Sequence, residues 1–582
     1  MSAPSHKLST NQSPDKGRAG AISVSIFKES LLRCSIPRPR SAIATERRDR
    51  FDPYYKVMRE SIWPLLLMMI LGVTGCAPSP PPAHESILIY GRGQDAVSLD
   101  PADAEDGESV KILTNVFDTL VHYDENGTEI VPALAEKWET SADGKTWTFQ
   151  LREGVRFHDG TPFDGAAVAF TFDRLIHPDN PHRYGAANPY RADYATIEKV
   201  DVTSPQEVVF RLKEPSGVFL RKLAMFPASI VSPTSMQKLG DRFRTEPVGT
   251  GAFVFVEWLS KERLTLAANK DYWRGKPAIE EVIFKPILEP AARRRQLLSG
   301  EIHMADELSI PVRKQIEKDP TLVLETCPGM NTAYLAMNND HPPFNDVRVR
   351  QAIAHAIDKS AIARSAYEDA GMIASTLVPK AMWGHHPALN DYAYDPNRSR
   401  ELLKEAGVAP GTKVVFYAMR NSRPYLPSPE QVTAIITQEL KEIGFEPIVK
   451  SPDWASYLDQ VGNGEHDICL MGWQTDNADP DNFLFALLDK ENAIPPKAHN
   501  LSFYRSEEVH QLLVEAQRKT EQDQRLSLYE RAQTIIHDDC PMVPLMHLDL
   551  AIARTKNVAG YKLHPTGLVM LRSARLEPSG SK

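Results

Sequence analysis

Val414-Val415-Phe416-Tyr417-Ala418-Met419 is a short, continuous apolar run, the pattern of a strand covered on both faces. Ser428 follows, with Pro429 at the first helical position and Gln431 three residues on, which predicts a helix start closed by a capping box. Its apolar face is Val432, Ile435, Ile436, Leu440 and Ile443, and Gly444 stands where a left-handed residue ends a helix. A second strand is expected over 446–450, a short helix over 455–461 and a third strand over 467–473. The order strand-helix-strand-helix-strand implies parallel pairing.

Parallel units of this kind hold ligands in the crevice beyond the carboxyl ends of their strands. The loops at those ends carry Arg423 and Tyr425, then Trp454, then Trp473 through Asp476. A guanidinium suits a carboxylate and a carboxylate suits an ammonium, so Arg423 and Asp476 match the two ends of a zwitterion. Two extended residues span only about 7 Å, so a ligand engaging both charges at once is near dipeptide length. Tyr425, Trp454 and Trp473 would supply apolar walls that accept varied side chains. Each residue also has a plainer role. Arg423 could be a solvated loop residue and the tryptophans ordinary core. Asp476-Asn477-Ala478-Asp479-Pro480-Asp481-Asn482 has the composition of a turn or a calcium loop, although the spacing and glycine of an EF-hand are missing.

Outward from this unit, the stretch from Ile87 to about Pro328 is strand-rich. Trp147-Thr148-Phe149-Gln150-Leu151 alternates apolar and polar residues after the turn Ala142-Asp143-Gly144-Lys145, as a half-buried strand does. From about Asn331 the texture changes to alternating strands and helices, the pattern of parallel units in a second lobe. The 582 residues are 42% apolar and 25% charged, ordinary globular composition with enough apolar mass for a large core. Lys and Arg number 67 against 76 Asp and Glu, and the resulting −9 argues against nucleic-acid binding. Five cysteines, none in a C-x-x-C pair, give neither a disulfide scaffold nor zinc spacing. Cys34 and Cys76 lie in the N-terminal stretch, and Cys327, Cys469 and Cys540 lie in the body.

Residues 1–57 are polar and basic without periodicity, and are expected to be an extension outside the fold, with Met58 the true start. The apolar run from Ile62 to Val73 is far short of the roughly 20 residues that span a bilayer. Val73-Thr74-Gly75-Cys76 and a Pro-rich stretch follow. Residues 58–75 resemble a bacterial lipoprotein signal, with Cys76 as the lipidated residue and 76–86 as linker; Val73 takes the place usually held by Leu.

Three further blocks carry a family resemblance. They are Pro132-Ala133-Leu134-Ala135-Glu136-Lys137-Trp138 running through Asp143-Gly144-Lys145 to Phe157-His158-Asp159-Gly160, then Pro247-Val248-Gly249-Thr250-Gly251, then Asp346-Val347-Arg348-Val349-Arg350-Gln351-Ala352. Together they resemble the family 5 extracellular solute-binding proteins, the receptors of ATP-driven importers, over nearly everything from Ile87 to Leu571. The resemblance implies an α/β, two-lobed periplasmic-binding-protein fold of type II with a hinge. Lobe I would take 87–329 and 547–582, and lobe II 330–546, with crossings near 329–335 and 545–548.

Within the family the likeness is to members that bind dipeptides, through Met382-Trp383-Gly384, Arg423-Pro424-Tyr425 and Gly472-Trp473 with Asp476-Asn477. It gives Arg423 the peptide carboxylate and Asp476 the amino terminus. Thr475 replaces an expected glycine, and the cysteines expected between Leu488 and Ser502 are absent. The role implied is a monomeric, lipid-anchored receptor on the periplasmic face of the envelope. It would deliver short peptides to permease subunits served by ATPase subunits, without cofactor, metal or nucleic acid. Longer peptides, haem or metal chelates are the alternative ligands, and a non-transport surface lipoprotein is the alternative class. No enzyme is expected: there is no His-Glu-x-x-His, G-x-S-x-G or Walker loop, and Gly249-Thr250-Gly251 lacks the third glycine of a dinucleotide fingerprint. His385-His386 are neighbours on an extended segment, where adjacent side chains point apart.

Overall fold

Two mixed sheets carry the body of the chain in the computed structural model, which describes residues 86–183, 188–475 and 477–578. The N-terminal extension, the signal, Cys76, nearly all of the linker and Asp476 lie outside the described residues. The first sheet has seven strands in the order Leu322–Cys327, Leu550–Thr555, Met304–Ala305, Ile87–Arg92, Glu281–Pro286, Arg263–Ala268 and Phe253–Leu259. The second has six, in the order Gly371–Ile373, Met542–Leu548, Asn331–Met337, Ile468–Gln474, Thr412–Tyr417 and Phe445–Lys450. Among the described residues no helix is long and apolar enough to cross a membrane.

The chain passes between these sheets after Cys327 and again after Leu548. Asn331 staples the two passages together. Its buried amide donates from Nδ2 to the Leu548 carbonyl at 2.8 Å and accepts from the Leu548 N–H at 2.9 Å, while its own carbonyl accepts from His547 Nδ1 at 2.7 Å. Gly329 lies against the same staple: a Cβ there would stand 2.3 Å from Asn331 Nδ2 and 2.4 Å from the Leu548 carbonyl oxygen. This pair of short passages joins the two sheets.

The six-stranded sheet contains the strand-helix-strand-helix-strand unit. Thr412–Tyr417 runs parallel to Phe445–Lys450 on one side and to Ile468–Gln474 on the other. The helices between them are Pro429–Glu442, with Val432, Ile436 and Leu440 buried, and Trp454–Gly462. Gly444, at φ +105°, takes the left-handed turn. Two expectations need correction. Ser428 makes no side-chain cap bond, although Pro429 does stand at the first helical position. The sheet is only half parallel: Asn331–Met337 pairs antiparallel with both Ile468–Gln474 and Met542–Leu548. All seven residues of Asn331–Met337 are buried, and a continuous apolar run does not encode strand direction.

A four-stranded antiparallel sheet of Ala135–Thr140, Thr146–Leu151, Glu207–Leu212 and Ile197–Ser204 holds the first family block. Thr146–Leu151 alternates as expected, with Trp147, Phe149 and Leu151 inward. Phe149 and Phe172 both pack against Phe210, with ring centroids 5.4 and 4.9 Å apart. The second block is also structural. Cβ atoms at Gly249 and Gly251 would fall 2.2 and 2.5 Å from backbone atoms of Val116, and Thr250 donates to Asp118 at 2.9 Å. Burial alone would raise the Asp118 carboxyl. Hydrogen bonds led by that from His122 bring it down to about 2.

Candidate functional site

The carboxyl ends of the three parallel strands meet at one edge of the six-stranded sheet. After Tyr417 the chain makes a tight loop in which Arg423 and Leu426 exchange both backbone hydrogen bonds at 2.9 Å. That loop fixes the base of the Arg423 side chain. Its guanidinium carbon lies 3.7 Å from the centroid of the Trp454 ring, a close cation–π contact. Trp454 is the first residue of its helix, whose N-cap Asp453 accepts from Ser456 N at 3.1 Å. The ring is therefore placed by a helix start rather than by a free loop.

Beneath Trp454 lies Tyr457, with planes 8° apart and centroids 5.6 Å apart. Tyr457 is fully buried and donates to the Leu470 carbonyl at 2.7 Å. Arg423, Trp454 and Tyr457 thus form one stack anchored to the strand Ile468–Gln474. Among the described residues Arg423 pairs with no carboxylate, and its Nε is buried without a hydrogen-bond partner. Several buried arginine Nε atoms share that state, and Arg423 differs in standing at the carboxyl edge of the parallel strands, where an acceptor from a ligand could reach it.

Tyr425 sits on the same strand. Its ring occupies the space above Gly472: a Cβ there would lie 2.2 Å from Tyr425 Cδ2 and 2.5 Å from the Thr332 carbonyl oxygen. Burial pushes the Tyr425 hydroxyl up to about 12, against the lowering charge of Arg423, so the side chain stays neutral. Gly472→Ala is expected to displace the ring, weakening ligand binding about tenfold and destabilising the fold by about 1–3 kcal/mol, the range for overpacking a filled site. Titration and denaturant unfolding of the variant check both effects.

Trp473 pairs across the strands with Thr332, whose Oγ1 is buried and unpartnered among the described residues. The indole N–H of Trp473 donates to Asn482 Oδ1 at 2.8 Å and its ring meets His499 edge-on. Arg423 and Trp454 are thus in direct contact, whereas Tyr425 and Trp473 join them through neighbouring positions of one strand.

Thr475, the departure from the expected glycine, builds the turn after Trp473. Its Oγ1 accepts from the N–H groups of Asn477 and Ala478 at 3.3 and 3.0 Å, and its own N–H donates to the Met330 carbonyl at 3.1 Å. Asn477 Oδ1 in turn accepts from Asp479 N at 3.0 Å, and Ala478 adopts φ +51°. Both residues are buried. Hydroxyl-to-backbone bonds of this kind hold a turn locally, so the segment around position 476 is tied at both ends. Sequence reasoning passed over Thr332, noted Thr475 only as a departure from an expected glycine, and quoted Gly472 without the role that a small residue inside a strand signals.

His385 Nδ1 lies 3.0 Å from the Val378 carbonyl oxygen, while His386 Nε2 lies 3.4 Å from Thr534 Oγ1. The two rings serve different partners. Among the described residues no group of three His, Cys, Asp or Glu could hold a metal ion, and Cys327, Cys469 and Cys540 are free thiols.

Residues 129–494 match the family model described as the middle part of the bacterial extracellular solute-binding proteins, family 5. The chain is 33% identical over 533 residues to di/tripeptide-binding protein 1 of Pseudomonas aeruginosa (strain UCBPP-PA14), covering 88% of this chain and 97% of that protein. Among solved structures it resembles the ABC transporter-associated periplasmic binding protein DppA of Helicobacter pylori, in complex with the peptide STSA. The TM-score is 0.73 and the identity 32%, over 84% of this chain and 98% of that one. The dipeptide-binding protein of Pseudoalteromonas sp. SM9913, in complex with Met-Leu, gives a TM-score of 0.74 at 29% identity, over 84% of this chain and all of that one.

Proposed function

The chain belongs to the family 5 bacterial extracellular solute-binding proteins, and from that premise we propose that it is the receptor of an ATP-driven importer, taking short free peptides and above all dipeptides. Arg423 receives the peptide carboxylate and Asp476 the ammonium. Tyr425, Trp454 and Trp473 line the space between without selecting one side chain. The observation that carries this reading is the Arg423 guanidinium, stacked on Trp454 at the carboxyl edge of a parallel sheet and free of any described carboxylate. A fixed cation in that position lacks only a partner anion.

We place lobe I at 87–329 and 547–582 and lobe II at 330–546. Ligand would be buried as the lobes close, and the closed receptor would be recognised by permease subunits with their ATPases. Cys76 would carry the lipid that holds a monomeric receptor at the periplasmic face of the membrane. Binding and delivery need no bond-making chemistry.

The test is calorimetric titration of protein refolded to remove co-purified ligand, against a free dipeptide, a free tripeptide and an amino-acetylated dipeptide. Free dipeptide is expected to bind, and acetylation to weaken binding by about 30-fold or more, because truncating one partner of a buried charge pair costs about 2–5 kcal/mol. Equal affinity for the acetylated form would remove Asp476 from the site. Absence of binding to all three would overturn the peptide reading.

A further inference from the structure

Asp479, three residues past position 476, is completely buried and receives two arginines from distant parts of the chain. Arg525, on the helix Gln522–Asp539, forks onto it with Nη2 to Oδ1 at 2.7 Å and Nη1 to Oδ2 at 2.9 Å. Arg221, on the short helix Phe219–Leu223 that follows the four-stranded sheet in sequence, brings Nε to 3.4 Å from Oδ2. Arg221 also donates from Nη1 to the Ala478 carbonyl at 3.2 Å and to Thr128 O at 2.9 Å. Trp383, from a sequence block with no role so far, has both guanidinium carbons over its ring, at 5.4 Å for Arg221 and 4.9 Å for Arg525.

The division of partners is informative. Asp479, Arg525 and Trp383 lie in lobe II as placed above, and Arg221 lies in lobe I. Arg525 alone neutralises Asp479, so removing Arg221 leaves no unpaired carboxylate in the interior. Breaking a lone buried pair is strongly unfavourable, whereas giving up a surplus partner is not. That is what a contact made and released in each binding cycle requires.

Gly217 marks the closest approach. Its N–H donates to the Gln517 carbonyl at 2.7 Å and its own carbonyl accepts from Arg525 Nη1 at 3.3 Å. A Cβ there would lie 1.8 Å from the Lys519 carbonyl oxygen, with every close atom on the opposing lobe. At the rim Glu214 and Arg518 are 3.3 Å apart and exposed.

We propose that this face is the closure contact of the receptor: Arg221, seated beside Gly217, is a positioning residue by which lobe I holds Ala478 and Asp479 of lobe II while ligand is bound. The inference rests on the peptide reading given above, because these residues closely follow position 476. Closing would place Arg221 on Asp479 and the Ala478 carbonyl, and opening would return both to Arg525 and solvent.

The test uses the full chain with Cys327→Ser, Glu214→Cys and Arg518→Cys, a short bismaleimide, and Met-Leu as ligand, with the 214–518 cross-link identified by peptide mapping. Met-Leu is expected to speed that cross-link about tenfold, within the usual range of coupling between linked equilibria. Gly217→Val should abolish the acceleration. Arg221→Ala, in the chain without the added cysteines, should raise the Met-Leu off-rate about tenfold while the on-rate changes little, as contact losses usually do. Arg221→Lys should recover part of the loss. A cross-link rate indifferent to bound Met-Leu, or off-rates unchanged in both variants, would overturn the proposal. A chain that gives no Met-Leu heat, yet whose cross-link is blocked by Gly217→Val, would overturn the peptide reading and leave the contact standing. If Gly217→Val does not fold, the Arg221 pair decides.

Discussion

Arg423→Ala is expected to raise the Kd for a free dipeptide by about 30- to 5,000-fold, the equivalent of the roughly 2–5 kcal/mol lost when one member of a buried, hydrogen-bonded charge pair is removed. Three features of the site point to so large an effect. The guanidinium is held by the Trp454 face at 3.7 Å, so little entropy remains to be lost on binding. Its Nε is buried and without a partner among the described residues, so an arriving carboxylate satisfies a donor already withdrawn from water. A planar fork also engages both carboxylate oxygens, which the point charge of a lysine cannot do, so Arg423→Lys should recover only part of the loss. Thermal stability should hardly change, because Trp454 remains seated on Tyr457. A carboxyl-amidated dipeptide gives the matching arm. Wild type should bind it weakly, and Arg423→Ala should no longer distinguish it from the free acid. A variant that still discriminates between the two would show that another cation reads the carboxylate.

Arg525→Met should act on stability instead, lowering it by about 3–5 kcal/mol, the cost of breaking a buried ion pair from one side. All five N–H donors of Arg525 are engaged: Nε with Ala516 O, Nη1 with Gly217 O and Asp479, Nη2 with Asp479 and the Tyr529 hydroxyl. Methionine fills part of the volume and supplies none of those bonds. Asp479, with no exposed surface, would keep the Asp481 N–H at 3.0 Å and, as its one described cation, Arg221 at 3.4 Å. The denaturant midpoint of the ligand-free protein measures the loss. Arg221→Ala in the same assay should shift it far less, because Asp479 keeps its bidentate partner. Equal losses in the two variants would mean that Arg221 is as structural as Arg525.

The parallel half of the six-stranded sheet was legible because its helices carry apolar faces at helical spacing and its strands are short apolar runs bounded by Pro and Gly. From that unit the rule for ligand crevices led to Arg423 and Trp454, and the structure stacks those two side chains directly. The antiparallel half was not legible. Asn331–Met337 is buried throughout, and nothing in an apolar run states which way its neighbours point. The Arg221 contact was equally hidden, since it joins groups far apart in sequence that share no period or motif. Thr475 was noticed only as a missing glycine, and its function follows from two backbone N–H groups that its hydroxyl accepts. The Gly-Thr-Gly block could be set aside as a dinucleotide motif from spacing alone. Its actual work, carrying Thr250 to Asp118 over the Val116 backbone, needed three dimensions.

The Asn331 staple has a mechanical corollary. By bonding both ways to Leu548, it makes the two strands that enter lobe II from the passages between the sheets a single rigid tongue. Any flexure would then fall on the flanking residues, 328–330 and Asp549, whose carbonyl is itself held by Arg313 at 2.8 Å. Two independent strands would allow twist and shear as well as bending. If the lobes turn about these two passages, a bonded pair would act as a pin with one axis, and the faces that carry Gly217 and Lys519 would meet in the same register at each closure.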